Sequence, residues 1–560
     1  MTAAPLRNHD AHANDRAPIE LPQRERIEIL VVVLAGIFLA ALDQTVVGTA
    51  LPRIVTDLRG NDVYIWPFTS YLLTATISGP LYGKLSDLFG RRPLFLLGVG
   101  IFLVGSLLAG ISQTMWQFIA FRGLQGLGAG ALFPISIAII GDIFSPSERG
   151  KYLGFFGAVF GLSSIIGPAI GGLITDNIGW HWIFFVNLPI GVVVLYVIFR
   201  ILPTHRDESA ARSIDYLGAA FFVAALVPIL VGLTNKQFGQ WTDGDVGGFI
   251  ALGLVLAAVF VWVEARAQEP IVPLHLFRIR AFTASVAAMF LAIMGFFAAV
   301  VFLPRWYQVV QGSSATISGY QILPLLLGLI VSAITTGQIV ARTGRFKAIM
   351  VSSLVVSAVG LFLLTNLRPD TPAPLVWLWM AIAGVGVGPA FAILTLVVQN
   401  NVPPRELGTG TSSLTLFQQV GGTVGLAITG SIFGSVLLEE MPKQIQAAGV
   451  TADFAARLAQ GGGSALNNFG GVGNLGASIL ASIPEQARAQ VQPLIPAIVR
   501  GIHEAFSIAT ASTFVLGIGT ALLASLVVLV LMPATRMHVA TQVAAEVLAP
   551  PHGELEPSAD

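Results

Sequence analysis

The chain alternates between long apolar stretches and short polar segments. Each stretch is about 20 residues long, enough for an α-helix to cross the ~30 Å hydrocarbon core of a bilayer. The pattern therefore predicts an all-α polytopic membrane protein with fourteen spans. The predicted spans cover residues 28–50, 64–83, 93–112, 115–141, 152–174, 182–202, 215–234, 247–265, 282–304, 317–340, 348–366, 374–399, 409–438 and 505–532.

Composition agrees with this class. Of the 560 residues, 54% are hydrophobic and 11% are charged, whereas soluble domains carry about 25% charged residues. Residues 1–25 are polar and lack the apolar core of a signal peptide, so the first stretch is interpreted as a retained membrane helix behind a cytoplasmic tail. Residues 535–560 are predicted to be a disordered cytoplasmic tail.

Charge sets the expected orientation. If the N-terminus is cytoplasmic, most of the 30 Lys and Arg residues fall on the cytoplasmic side, as expected because cytoplasmic loops retain positive charge during insertion. Both termini are therefore predicted to be cytoplasmic. The chain has no Cys, which excludes disulfides and thiol chemistry, and we expect neither a metal nor a cofactor.

The two halves of the chain share a pattern of glycines and charges. Chance matches are an alternative in a glycine-rich chain, but the loop charges match as well as the helix glycines. The repeat predicts two six-helix bundles with two helices inserted between them. The matched residues are Gly83, Gly90 and Arg91 with Gly337, Gly344 and Arg345, and Gly126, Gly128 and Gly130 with Gly384, Gly386 and Gly388.

The predicted domains follow from this repeat. An N-terminal bundle occupies 26–203, a linker region with inserted helices 7 and 8 occupies 204–280, and a C-terminal bundle occupies 281–534. The C-terminal bundle includes a long segment, 439–500, predicted to lie outside the membrane. Loops this long are usually functional or disordered, so it is either a cover over the exit of a cavity or an insertion without a role.

Five segments together resemble the major facilitator superfamily and, within it, the 14-helix drug:proton antiporter-2 family of multidrug efflux transporters. They are LDQTVVGTALP at 42–52, GKLSDLFGRRP at 83–93, RGLQGLGAG at 122–130, GFFGAVFGLSSIIGPAIGG at 154–172 and WHWIFFVNLPIG at 180–191. The chain departs from the family pattern at Ser163, where a Gly is expected, and at His181, where Arg is usual.

The resemblance assigns roles to two of these segments. The segment at 83–93 is expected to be a cytoplasmic gate that helps to hold the outward-facing state; a basic loop that only sets orientation is the alternative. The segment at 154–172 is expected to be an antiporter motif whose small residues and proline allow close helix contact and bending; generic packing is the alternative. The gate residues are Gly83, Asp87, Gly90, Arg91 and Arg92, and the antiporter residues are Gly154, Gly167, Pro168, Gly171 and Gly172.

Two charges stand out inside predicted spans. Asp43 lies about 15 residues into the first span and Arg122 about 7 residues into the antiparallel fourth, so both are predicted at similar depth in the outer half of the bilayer. A charge at mid-membrane costs about 2.5–3.5 kcal/mol unless it faces a partner or a polar interior. We predict that Asp43 carries the coupling proton beside Arg122; a static ion pair is the alternative.

Other polar and aromatic residues lie in or near the spans, and the sequence assigns them to solvent, to the membrane interface or to a substrate cavity. Asp142, Asp215, Glu264 and Glu504 lie near helix ends and are predicted to be solvated. Trp180 and Trp182 are interpreted as interfacial anchors. Trp66 and Trp306 lie near the predicted outer ends of their spans, where an interfacial belt is the more common explanation and a place beside the substrate the other. The residues predicted to line an adaptable substrate cavity are Trp66, Tyr71, Gln125, Tyr307, Gln418 and Gln419.

These features predict a transporter and argue against an enzyme. The chain has no GxxxxGK[ST] phosphate loop, so ATP hydrolysis is not expected. The predicted function is proton-coupled export of small amphipathic or lipophilic cations by alternating access, in a monomer of the bacterial inner membrane. The expected partners are this substrate, protons and the lipid bilayer, without nucleic acid. An importer of the same fold and a non-transporting receptor or scaffold are the alternatives.

Overall fold

The computed structural model describes residues 22–144, 146–203, 215–236, 239–267, 270–403, 406–451, 475–482, 488 and 491–533. This part of the chain is built from α-helices without strands. Residues 1–21 of the predicted N-terminal tail, the predicted C-terminal tail and the middle of the 439–500 segment lie outside it, and residues 23–25 of the predicted N-terminal tail belong to α1. The helices of the first half and the insertion are α1 Gln23–Asp57, α2 Trp66–Phe89, α3 Arg91–Gly110, α4 Met115–Ile143, α5 Pro146–Asn177, α6 Trp182–Phe185, α7 Asn187–Ile201, α8 Tyr216–Asn235 and α9 Phe249–Glu264.

The second half continues the all-α pattern. Each of the fourteen predicted spans lies on one helix or on two consecutive helices, such as α6 with α7 or α11 with α12. Twelve spans in the described residues are long and apolar enough to cross a membrane, and α2 and α5 are not among them, so the count of fourteen stays a prediction. The remaining helices are α10 Arg280–Val309, α11 Ala315–Gln321, α12 Leu323–Thr343, α13 Lys347–Leu364, α14 Ala373–Asn401, α15 Leu407–Ala447, α16 Leu475–Ser482 and α17 Ile495–Leu531.

Matching glycines make matching contacts in the two halves. On α4, a Cβ added at Gly126 would lie 2.2 Å from the Tyr71 carbonyl oxygen of α2. On α14, a Cβ added at Gly384 would lie 2.0 Å from the Leu325 carbonyl oxygen of α12. Such distances are too short for any side chain, so these glycines let backbones touch. The segments GLGAG and GVGVG are therefore packing surfaces.

The inserted helices lie beside one junction between the halves. α8 packs against both α2 and α15, where Leu73, Leu226, Leu230 and Ala427 form a small apolar cluster. α9 packs mainly against α8. Glu264, at the end of α9, is only 2% exposed, so the prediction that it is solvated was wrong: the turn that follows α9 folds back, and the Val272 N–H donates to Glu264 Oε2 (3.4 Å).

Two helices extend into the segment that was predicted to be a loop. α15 continues to Ala447 and α17 begins at Ile495, so with 41 and 37 residues they are about 60 and 55 Å long at 1.5 Å per residue. Their extensions pack together, since a Cβ at Gly501 would lie 2.6 Å from the Ile445 Cα. The ends of 439–500 are thus helical and packed, and only the part outside the described residues stays a candidate loop.

Candidate functional site

Asp43 lies at the centre of a buried polar network in the first half of the chain. Arg122 Nη1 donates to Asp43 Oδ2 (2.5 Å), and Gln125 Nε2 donates to Asp43 Oδ1 (2.8 Å). Arg122 Nη1 also donates to Gln125 Oε1 (2.6 Å). Asp43 is 3% exposed and Arg122 and Gln125 are fully buried. The predicted pairing of Asp43 with Arg122 therefore exists as a direct, hydrogen-bonded ion pair.

A third donor to Asp43 comes from α7 and was not predicted from the sequence. Asn187 Nδ2 donates to Asp43 Oδ1 (3.3 Å) and to Ser106 Oγ (3.0 Å). Ser106, on α3, donates in turn to the Phe184 carbonyl oxygen (2.9 Å). The only signal in the sequence was an amide within the apolar run of WHWIFFVNLPIG.

Close backbone contact and an aromatic ring fix the arginine. A Cβ at Gly105 of α3 would lie 2.5 Å from the Gln125 Cα, so α3 presses directly on the turn of α4 that follows Arg122. The guanidinium carbon of Arg122 lies 4.2 Å from the centroid of the Tyr71 ring, which stabilises a buried cation. Among the described residues, Arg122 Nε and Nη2 have no hydrogen-bond partner.

The gate motif forms a turn between α2 and α3. Gly90 has φ +97°, a conformation that favours glycine. Arg91 Nε pairs with Asp142 Oδ2 (3.0 Å), and Arg91 Nη1 donates to Ser86 Oγ (2.7 Å). Asp142, predicted to be solvated, is therefore an ion-pair partner of the motif. The end of α4 brings it there, which a linear reading of helix ends does not reveal.

The structure gives fewer contacts for the remaining gate residues, Gly83, Asp87 and Arg92. The Arg92 guanidinium carbon lies 4.7 Å from the Phe199 ring centroid of α7. A Cβ at Gly83 would be 3.9 Å from the Pro134 Cβ. The side chain of Asp87 lies outside the described part of the structure, so its predicted role stays untested.

The antiporter motif places α5 between the two halves. A Cβ at Gly167 would lie 2.0 Å from Thr45 Oγ1 of α1, and one at Gly172 would lie 2.3 Å from the Thr316 Cα of α11. Gly171 packs on α1 in the same way as Gly167, with Thr49 Oγ1 2.7 Å from its ideal Cβ. The motif is therefore a contact surface on two sides. Gly154 lies on α5 as well.

Thr45 adds a hydrogen bond to this surface, and Pro168 adds a close backbone contact. Thr45 Oγ1 donates to the Ser163 carbonyl oxygen of α5 (3.0 Å), and a Cβ at Gly319 of α11 would lie 2.4 Å from the Pro168 carbonyl oxygen. Ser163 is buried, so the serine that departs from the family pattern fits the same interface.

The sequence profile described as Major Facilitator Superfamily matches residues 33–426. The chain belongs to the major facilitator superfamily. Two relatives from Bacillus subtilis (strain 168) support this. "Multidrug transporter protein MdtP" is 37% identical over 443 residues, which cover 78% of this chain and 81% of that protein. "Multidrug resistance protein 3" is 38% identical over 410 residues, which cover 73% of this chain and 80% of that protein.

The fold agrees with solved members of the superfamily. A bacterial homolog of the human lysosomal transporter Spinster, in an inward-facing and unoccupied conformation, matches with a TM-score of 0.59 over 91% of this chain and 98% of that chain. The sequence identity is 15%, so the likeness shows the fold alone. The family match and the two relatives, and not this likeness, make the chain a multi-pass membrane transporter of small molecules and not an enzyme.

The two halves of the transporter are joined at the ends of α1, α5, α10 and α11. Gln308 Nε2 of α10 donates to the Thr49 carbonyl oxygen of α1 (2.8 Å). The Tyr64 hydroxyl, in the connection between α1 and α2, donates to the Val301 carbonyl oxygen of α10 (3.3 Å). In the predicted topology this end of the bundle faces outside, so these contacts would close the outer face.

The six predicted cavity residues of the transporter are not brought into one cluster by the described contacts. Tyr71 and Gln125 belong to the Asp43 network. Gln419 Oε1 accepts from Thr76 Oγ1 (2.7 Å), which joins α15 to α2. Tyr307 stacks edge-on against Trp306. The other two, Trp66 and Gln418, are partly buried.

Two tryptophans are more buried than predicted. Trp306 is fully buried and its Nε1 donates to Ser507 Oγ of α17 (2.8 Å), so it is not part of an interfacial belt. Trp180 is 2% exposed and donates to Asp57 Oδ2 (3.1 Å). Trp182 is 51% exposed, as expected for an anchor.

Arg305 is a second buried cation, which the sequence analysis missed. It is 1% exposed, and its guanidinium carbon lies 3.9 Å from the ring centroid of Tyr64 and 5.1 Å from that of Phe433. Tyr64 belongs to the first half of the chain and Phe433 to the second. Arg305 therefore contributes to the contact between the halves near the predicted outer face.

Proposed function

We propose that this transporter is a proton-coupled secondary exporter of small amphipathic or lipophilic monovalent cations, working by alternating access. The observation that carries the proposal is the buried Asp43 carboxylate paired with Arg122. Buried ionisable groups in membrane spans are costly and mark ion or substrate pathways. A carboxylate whose neighbours can rearrange is suited to take up and release a proton.

The contacts between the halves suggest how the cycle is arranged. With Gln308 bound to Thr49 and Tyr64 bound to Val301, the outer face is closed and substrate would enter from the cytoplasm. Rocking of the bundles would open the outer face, where Asp43 takes up a proton and substrate leaves. Each proton that returns gains about 2.3 kcal/mol per 100 mV of membrane potential.

The relatives and the charge of the site support the direction and the substrate class. Two similar proteins are named for multidrug transport and multidrug resistance, which favours export over the importer alternative. Asp43 is the one carboxylate in the described network around Arg122, so monovalent cations suit it better than dications. We propose the bacterial inner membrane as its location and the monomer as its working form.

The test is proton movement linked to substrate in proteoliposomes that hold the purified full-length transporter. An imposed pH gradient should drive tetraphenylphosphonium or ethidium against its gradient, and adding either cation should move protons in the opposite direction. Asp43→Asn should abolish both. Glu28→Gln is the matched control, because Glu28 lies on the same helix but forms an exposed pair with Arg24. Gradient-independent flux in the unmodified protein, or full coupling in Asp43→Asn, would overturn the proposal.

A further inference from the structure

We propose that Asn187 is a positioning residue for the proton step, and that its side-chain amide holds Asp43 as a carboxylate and ties it to α3. The inference deepens the proposed function and rests on Asp43 being the group that takes up the proton. Asn187 is 1% exposed and supplies the described donor to Asp43 that does not come from α4.

A break in the helix places the amide in the network. α6 ends at Phe185 and α7 begins at Asn187, so Asn187 is the first residue of the new helix. Pro189 follows two residues later and has no N–H to donate. Ser106 Oγ satisfies the Phe184 carbonyl oxygen beside the break.

The same break brings α7 against α3. A Cβ at Gly191 would lie 2.3 Å from Leu103 Cδ2, so the helices touch one turn beyond Asn187. Both amide hydrogens of Asn187 are used, one on Ser106 Oγ and one on Asp43 Oδ1. The amide is thereby fixed in one orientation, with its donors and not its carbonyl oxygen towards the carboxylate.

The described hydrogen-bond partners of Asp43 are all donors. Oδ2 accepts from Arg122, and Oδ1 accepts from Gln125 and Asn187. The Gln125 carbonyl oxygen, an acceptor nearby, is occupied by Arg122. This set fits an ionised carboxylate, because a protonated one needs an acceptor for its O–H.

The three donors occupy three of the roughly four lone-pair sites of the carboxylate, and the open site on Oδ2 lies beside the Arg122 cation, which disfavours a proton there. Proton uptake on Oδ1, which already accepts two hydrogen bonds, displaces one donor. The contact from Arg122 is charge-assisted and the strongest of the three, which leaves Oδ1 as the atom that takes the proton. The contact from Asn187 is the longest, at 3.3 Å against 2.8 Å for Gln125. Displacement of Asn187 from Oδ1 would then release the link between Asp43 and the junction of α3 with α7.

The electrostatic surroundings of Asp43 contain few other ionisable groups. α4 contributes the cation Arg122, and α2 contributes Tyr71, whose ring lies against that cation. α3 and α7 contribute the neutral Ser106 and Asn187. In the described contacts α5 offers Asp43 no ionisable side chain, and Arg305 of α10 faces Tyr64 instead. A change at Asn187 therefore reports on Asp43 without altering a formal charge.

The test is a pH titration of Asp43 by infrared difference spectroscopy on the full-length protein in liposomes, without substrate or gradient. The carboxyl band that is absent in Asp43→Asn is assigned to Asp43. Asn187→Leu removes one donor to the charged form, so the midpoint should rise by about one pH unit, a tenfold change in proton affinity. Asn187→Gln keeps an amide donor, so the midpoint should rise by no more than half as much as in Asn187→Leu.

Ser106→Ala is the comparison variant, because it removes the contact that orients the amide but keeps the Asn187 donor to Asp43. It should move the midpoint by less than half as much as Asn187→Leu does. If Asn187 only joins α7 to α3, Asn187→Leu and Ser106→Ala will lower stability alike and leave the midpoint where it was, which overturns the inference. If Asn187→Leu fails to fold, Asn187→Ala takes its place, and the same change in the midpoint is expected. If the unmodified protein shows no proton-driven export while Asn187→Leu still shifts the midpoint, the result would count against the proposed function alone.

Discussion

The carboxylate of Asp176, at the end of α5, accepts hydrogen bonds from both the backbone N–H and the hydroxyl of Thr316, at the start of α11 (2.8 and 2.5 Å). It also accepts from the Ala315 N–H (3.1 Å). A side chain of the first half thus caps a helix of the second half, directly after the Gly and Pro residues of the antiporter motif. We interpret this contact as a latch on the predicted outer face.

Removing the latch should favour the state that is open to the outside. Asp176→Ala removes three accepted hydrogen bonds, and after solvent screening the effect should be about 1 kcal/mol, a roughly five-fold change in the ratio of closed to open molecules. The chain has no Cys, so spin labels can be placed cleanly at the exposed Trp116 and Leu375. The distance between them should gain a longer component. Thr316→Val, which keeps the backbone N–H, should show a smaller gain.

The latch should be insensitive to pH over the physiological range. Burial raises the pKa of Asp176, but the hydrogen bonds from Thr316, Ser314 and Ala315 outweigh it, so the pKa lies below its ordinary value of 3.8. A carboxylate with a lowered pKa stabilises the closed state above its ordinary pKa, and loses that effect as pH falls through the lowered value. The label distance should stay constant from about pH 8 to pH 5 and lengthen only below about pH 4. A transition near neutral pH that Asp176→Ala abolishes would contradict this.

Asp43 and Trp306 show which contacts could be predicted from the sequence and which could not. Counting residues from the ends of two spans predicted that Asp43 and Arg122 lie at one depth, because rise per residue is constant in a helix. The count gives no rotation about the helix axis, so it could not show that Asn187 of α7 faces the same carboxylate. Trp306 was interpreted as interfacial because it lies near the predicted outer end of its span; the position along one helix could not show that Ser507 of α17 faces the indole and accepts its N–H.

Neutralising Asp142, the ion-pair partner of Arg91, should have the same effect as neutralising Asp87 of the gate motif. Asp87→Asn is predicted to shift the transporter towards inward-facing states by weakening the outward-facing one. Asp142→Asn removes the carboxylate that orients Arg91, so it should act in the same direction. The Trp116 and Leu375 labels should then report a shorter mean distance for both variants. Glu28→Gln serves as control, and an unchanged distribution in Asp142→Asn would show that the pair only supports the loop.

The long segment should tolerate a deletion only in its middle. Residues 452–474 lie outside the described residues, and their replacement by a short linker should leave expression and thermal stability unchanged. Removing all of 439–500 would also take away Ile445 and Ile498, both fully buried, at about 2–5 kcal/mol each. We therefore expect that variant to be lost from the membrane fraction, unlike the shorter one. Equal stability of the two would show that the packed helix ends contribute nothing.

The strongest discrimination between a proton carrier and a static ion pair comes from changing both partners. Asp43→Asn should abolish pH-driven export while exchange of substrate without net proton movement persists. It should also destabilise the protein, by about 3–5 kcal/mol, because it leaves the buried Arg122 cation without a counter-charge.

Asp43→Asn combined with Arg122→Gln removes that stranded charge and should restore expression. If Asp43 carries the proton, the double variant still cannot couple, because no titratable group replaces it in the network of Gln125 and Asn187. If the pair is only structural, neutral hydrogen bonds between two amides will serve equally well and proton-driven export will return with the fold. Expression and gradient-driven export of tetraphenylphosphonium, measured side by side in the single and double variants, separate these outcomes, and robust export by the double variant would rule out a proton-carrying Asp43.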